Sequence, residues 1–144
     1  MKIFTIGFTK KSAEQFFTRL KQPGLIRLVD ARLNNVSQLA GFTKTNDLKF
    51  FLREICQIDY IHLPELAPTK DIRDSYKKNG GDWAAYETQF LALLEKRHIE
   101  NRVDKSLIDG SCLLCSEATP EHCHRRLVAE YLKRHWENVE IAHL

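Results

Sequence analysis

IFTIGFTKKSAEQFFTRLKQPG, residues 3–24, decides how the rest of the chain is read. Its first four residues are apolar or β-branched and stop at Gly7, the pattern of a buried strand running into a turn. Ser12-Ala-Glu-Gln15 has the spacing of a capping box. Ala13, Phe16, Phe17 and Leu20 then recur at helical intervals until Pro23-Gly24 ends the pattern. The stretch is strand, turn, helix, and the same unit recurs along the chain.

Leu25 to Val29 is a second apolar run, ending in Asp30-Ala-Arg32 and a polar loop. Helical spacing returns at Leu48, Phe51, Leu52 and Ile55, with Thr45 or Asn46 as the cap. Asp59 to Leu63 reads as a third strand. The polar connection after it, residues 67–81, has room for one short helix and is either a lid or binding loop or an ordinary surface excursion. Asp82 caps a helix to about Arg97, with Trp83, Tyr86, Phe90, Leu93 and Leu94 as its core stripe. Cys112 to Cys115 is the fourth strand, a last helix runs from about Pro120 to Trp136, and VEIAHL closes the chain as a fifth strand. Strands alternating with helices predict an α/β fold: a single domain, residues 1–144, with a mainly parallel sheet of about five strands flanked by helices.

The bulk numbers agree. A chain of 144 residues that is 43% hydrophobic and 28% charged has the size and composition of one globular domain and not of a disordered segment. No run approaches the roughly 18 apolar residues of a membrane span, and the amino terminus has no signal-peptide pattern, so a cytoplasmic location without a membrane partner is expected. In that compartment Cys56, Cys112, Cys115 and Cys123 are expected to be thiols or ligands more than disulfides. The net charge of +3 is dispersed, which leaves nucleic acid as an alternative partner without a clustered basic patch to recommend it.

In open α/β sheets, ligands bind beyond the carboxyl ends of the strands. That edge gathers Thr5 and Gly7, Asp30 and Arg32, His62, Cys115 and Glu117, and the segment Cys123-His124-Arg125. Cys115, Glu117, Cys123 and His124 are the catalytic candidates, the thiols as nucleophiles and the other two for proton transfer. Thr5, Gly7, Asp30, Arg32, His62 and Arg125 are the substrate-binding candidates, because a guanidinium fork suits a carboxylate or phosphate. Thr119 as N-cap and Pro120 as first helical residue would put Cys123, His124 and Arg125 in the first turns of the last helix, where free N–H groups favour anions. Equally, Cys123 could be a small packing residue.

The spacing of Cys112, Cys115, Cys123 and His124 invites a zinc reading. Residues three apart on a strand face opposite ways, however, so no metal site is expected from that quartet. No cofactor is implied either: the phosphate-loop, dinucleotide and C-x5-R patterns are all missing.

Thr5-Ile-Gly7, Asp30-Ala-Arg32, Ser37, His62-Leu-Pro-Glu-Leu66, Cys115-Ser-Glu117, Pro120, Cys123-His-Arg125 and His143 resemble the motif series of the family known as domain of unknown function 488. The resemblance covers essentially the whole chain, and C-x-E-x-x-P-x-x-C-H-R is its most specific block. It implies a cytoplasmic α/β protein whose strand-end residues form one shared site, Ser37 among the substrate-binding set, and it names no substrate. The resulting expectation is an enzyme acting on a small anionic substrate, nucleotide or phosphorylated, at the strand-end crevice. The alternatives are a nucleotide or nucleic-acid binding module without catalysis, and a metal or thiol-redox protein.

Overall fold

The computed structural model describes residues 1–35, 41–78, 80–117 and 119–144. Five parallel strands, β1 (Lys2–Gly7), β2 (Arg27–Asp30), β3 (Asp59–His62), β4 (Ser111–Cys115) and β5 (Glu140–His143), form one sheet in the order β3-β2-β4-β1-β5. The helices are α1 (Ala13–Leu20), α2 (Thr45–Phe51), α3 (Lys70–Lys78), α4 (Trp83–Arg97), α5 (Ile99–Arg102), α6 (Lys105–Ile108) and α7 (His124–His135). The α/β fold is the one the alternating pattern predicts. No helix among the described residues is long and apolar enough to cross a membrane.

Alternation along the strands divides the core in two. Phe4, Ile6, Leu28, Cys112 and Leu114 point to one face and meet Phe16, Phe17 and Leu20 of α1 and Leu48 of α2. Ile3, Val29 and Leu113 point to the other and meet Phe90 and Leu94 of α4 and Leu127, Val128 and Leu132 of α7. With both faces covered, the strands can be apolar at successive positions instead of alternating with polar ones. Phe16 is wholly buried, so truncating it to Ala should cost about 3–5 kcal/mol. The capping box forms as written: the Ser12 hydroxyl accepts from Gln15 N, and the Gln15 side chain accepts from Ser12 N.

The crossovers fix where a ligand can enter. On one face α1 and α2 carry the chain from β1 to β2 and on to β3; on the other, α4 and α7 lie on the paths back to β4 and out to β5. Opposite directions on opposite faces give all crossovers one hand. Since β1 and β4 are neighbours whose following helices lie on opposite faces, a crevice opens between their carboxyl ends.

Local expectations need three corrections. The last helix starts at His124 and not near Pro120: residues 120–123 make a turn in which Cys123 N donates to Pro120 O, and Cys123 is the N-cap. The second helix is capped at Lys44 without a side-chain bond, because the Thr45 hydroxyl donates to Asn35 O instead, and it continues as a π-helical segment, Leu52–Cys56. That widening turns Ile55 outward, where it is exposed. The connection after β3 does contain one helix, α3, which packs on α4 through the rings of Tyr76, Trp83 and Tyr86. The expected core stripe of α4 is buried at Tyr86, Phe90 and Leu94, while Trp83 and Leu93 are only half-buried.

Candidate functional site

At the end of β1, Gly7 stands opposite Cys115 of β4. A Cβ on Gly7 would lie 1.5 Å from the carbonyl oxygen of Glu117, so only glycine lets the loop after β4 fold across the end of β1. Thr9 N donates to Ser116 O at 2.9 Å and pins the same loop. Underneath it lies Arg125, the largest fully buried side chain of the protein among the described residues. Its Nη1 donates to Glu117 O at 2.7 Å and approaches Cys115 Sγ at 3.6 Å, while Nε donates to Thr5 Oγ1 at 3.3 Å. The Thr5 hydroxyl, which can accept a second hydrogen bond or donate its own, also pairs with His143 Nδ1 at 2.6 Å. Burial lowers the Arg125 pKa to about 10, which still leaves it cationic at neutral pH. Burial first, and then Arg125, lowers the pKa of His143.

At the end of β2, Asp30 is wholly buried and holds Arg32 in a fork: Nε donates to Oδ1 at 2.8 Å and Nη2 to Oδ2 at 2.7 Å. Nη2 also donates to Thr43 O, and the Tyr60 hydroxyl donates to Asp30 Oδ2 at 2.6 Å. Burial, reinforced by the Asp30 carboxylate, pushes the Tyr60 phenol up to about 12. Two histidines clamp the backbone here. His62 Nε2 donates to Arg32 O at 2.7 Å and His124 Nε2 to Ala31 O at 2.8 Å, because a carbonyl can only accept. Loss of solvent lowers the His124 pKa to about 4, so the ring is neutral at physiological pH.

One nitrogen of each buried guanidinium is left over. Arg32 Nη1 and Arg125 Nη2 are buried and have no hydrogen-bond partner among the described residues. A buried donor without an acceptor costs about 1–3 kcal/mol, more when charged, and is a feature that a bound anion would relieve.

The expectation of free thiols is overturned at two positions. Cys115 and Cys123 are joined by a disulfide, and only Cys56 and Cys112 are free. Compartment alone favours thiols, but the fold brings the end of β4 against the start of α7, a proximity that a spacing of eight residues does not reveal. Cys112 lies in the opposite core beside Phe4 and Ile6, as strand alternation requires. A ring nitrogen of His124 lies within 4.8 Å of the sulfurs of Cys115 and Cys123, making them a potential metal-ligating group.

These elements open onto a cleft of about 380 Å³. Of the candidates read from the sequence, Arg32, Cys115, Glu117, Cys123 and His124 line it. Thr5, Gly7, Asp30, His62 and Arg125 stand behind that lining, shaping it through the bonds described above. Ser37 lies outside the described residues. Sequence reasoning missed the far wall: Arg73, Tyr76 and Lys77 of α3, Trp83 and Tyr86 of α4, His122, and Phe8 under the Arg32 guanidinium. The Trp83 ring stacks on Tyr86 at 4.8 Å and on His122 at 5.0 Å, so the first residue of the expected core stripe of α4 and an exposed histidine build one aromatic surface. The length of the 67–81 connection was the signal available, and it carries half that wall.

No curated protein and no solved structure matches the chain. The family described as Domain of unknown function DUF488 matches residues 12–132, most of the length, from the cap of the first helix into the last, and the chain belongs to that family.

Proposed function

We propose that the protein is a cytoplasmic enzyme acting on a small anionic substrate, a nucleotide or phosphorylated compound, in the cleft beyond β1, β2 and β4. The observation that carries this reading is Arg32 Nη1, a buried charged donor on a cleft-lining side chain that lacks an acceptor among the described residues. Asp30 holds the other two nitrogens, so the guanidinium is oriented before any ligand arrives. Arg73 and Lys77, four residues apart on α3, supply further positive charge on the far wall, and the rings of Trp83 and Tyr86 suit a planar group. Glu117, exposed at the cleft edge, is the group to move a proton. His124 keeps only Nδ1 as an acceptor, since Nε2 is committed to Ala31 O, and burial lowers its pKa to about 4, which makes it a weak base. A cysteine nucleophile would require the disulfide to be reduced first.

The test is a thermal-shift screen with inorganic phosphate, nucleotides and sugar phosphates. A ligand at 100 times its Kd should stabilise the fold by about 2.7 kcal/mol, and Arg32→Gln should abolish the shift. A flat response to every anion would end this reading. Binding without product, unchanged by Glu117→Gln, would favour a nucleotide or nucleic-acid binding module instead. One observation favours the metal or thiol-redox alternative: a disulfide in the cleft wall with an imidazole beside it.

A further inference from the structure

We propose that reducing the Cys115–Cys123 bond opens a site for a thiophilic divalent cation of the zinc type, held by the two sulfurs and by His124 Nδ1 in the wall of the cleft. The proposal stands on the geometry of the cluster and does not require the anion reading.

The donors are already gathered. The two sulfurs and a His124 ring nitrogen lie within 4.8 Å of one another, and Zn–S bonds of about 2.3 Å in a tetrahedral site would set the released sulfurs ~3.8 Å apart. Side-chain rotation covers that difference. The imidazole is also presented in the manner of a metal ligand. Nε2 donates to Ala31 O at 2.8 Å, which fixes the tautomer and leaves the Nδ1 lone pair for a cation. Ligating histidines characteristically make this outer bond to a carbonyl or carboxylate. The Phe90 ring meets the imidazole edge to face at 5.7 Å and limits its rotation.

Charge favours the exchange as well. Arg125 Nη1 lies 3.6 Å from Cys115 Sγ, where a cationic donor favours the thiolate over the thiol. Two thiolates offset the dication, so the net charge beneath the loop is that of Arg125 alone in both the disulfide and the metal-bound form. Burying the cation therefore adds no uncompensated charge. Three protein ligands leave one tetrahedral position, and because all three residues line the cleft, that position is available to water or to a ligand's anionic group.

The chemistry balances with a dithiol as reductant. The protein S–S bond breaks, both sulfurs take up a proton and become thiols, and the dithiol, losing two electrons and two protons, closes to its own disulfide. Cation binding then displaces one proton from each thiol to solvent.

The experiment uses the full chain in two forms: the disulfide form, and a form reduced with a water-soluble phosphine, which becomes its oxide and does not compete for zinc as a dithiol would. Each is dialysed against zinc and its metal content measured, and each is titrated with cobalt. The expected result is one ion per chain in the reduced form only, with a sulfur-to-cobalt charge-transfer band. Cys123→Ser should lose the band, His124→Ala should bind at least about tenfold more weakly, and the Cys56→Ser and Cys112→Ala variants should keep full binding. Three results would overturn the proposal: a reduced wild-type protein without metal, equal metal in both forms, or a charge-transfer band that survives Cys123→Ser. The comparison of the two wild-type forms needs no variant, so misfolding of a mutant cannot shield the proposal.

Discussion

Two buried arginines flank the candidate site, and their surroundings differ. At the end of β2, Arg32 is clamped by a wholly buried carboxylate that itself accepts from Tyr60. At the end of β4, Arg125 meets a carbonyl, a hydroxyl and a sulfur. The first is a compensated ion pair; the second is a cation whose direct contacts among the described residues are dipoles, with the Glu117 and Glu121 carboxylates acting only from further off. Pairing lets Arg32 stand in the cleft wall with a fixed orientation, whereas Arg125, without an ion-pair partner among the described residues, organises the loop behind it.

The comparison is most exposed at Asp30. Asp30→Asn would leave the Arg32 guanidinium buried and uncompensated, and should lower stability by about 3–5 kcal/mol. Next is Gly7→Ala. The added methyl would collide with backbone, not with a flexible side chain tip, so the loop over β1 must move, at a cost of about 1–3 kcal/mol or more. Arg125→Met should cost less than Asp30→Asn, about 1–3 kcal/mol, because it removes two good donors and at the same time removes a poorly compensated charge. Urea denaturation of the three variants gives the order directly. Should Arg125→Met prove the most damaging, the dipoles around Arg125 are worth more than the Asp30 carboxylate is to Arg32, and the contrast fails.

The sequence made one of these two regions far more legible than the other. Asp30-Ala-Arg32 closes an apolar run, so its place at a strand end, with both residues as binding candidates, was legible in the spacing, as was the capping box at Ser12; that Asp30 pairs with Arg32 itself came from the fold. The Cys115–Arg125 segment could not be read the same way. Its disulfide, the Glu117 carbonyl over Gly7 and the burial of Arg125 all depend on β1 and β4 being neighbours, although they are separated by most of the chain. Thr119-Pro120 offered a good local helix start, and tertiary contact overrode it: the disulfide and the Arg125 bonds hold this stretch as a turn until His124. The far wall of the cleft was hidden because aromatic side chains at helical spacing signal a core equally well. Composition cannot distinguish Trp83, which lines the cleft, from Phe90, which does not.

The smallest expected effect separates the two arginines by pH. Tyr60 belongs to the Arg32 cluster alone, and its phenol is raised to about 12 by burial and by the Asp30 carboxylate that accepts its proton. An unfolded tyrosine ionises near pH ~10. The neutral phenol is therefore the form that the fold favours. Its contribution is fully present below about pH 10 and is lost as pH rises through the folded value, since the unfolded state releases its proton first. Wild-type stability should accordingly fall more steeply between about pH 10 and 12 than that of Tyr60→Phe, in which this proton is absent. Tyr86 and Tyr131, whose pKa values are also raised, are common to both proteins and cancel in the difference. Denaturation midpoints across that range would read the slope. Parallel curves would mean that Asp30 keeps its hold on Arg32 without help from Tyr60, and that the clamp at the end of β2 consists of the carboxylate and guanidinium alone.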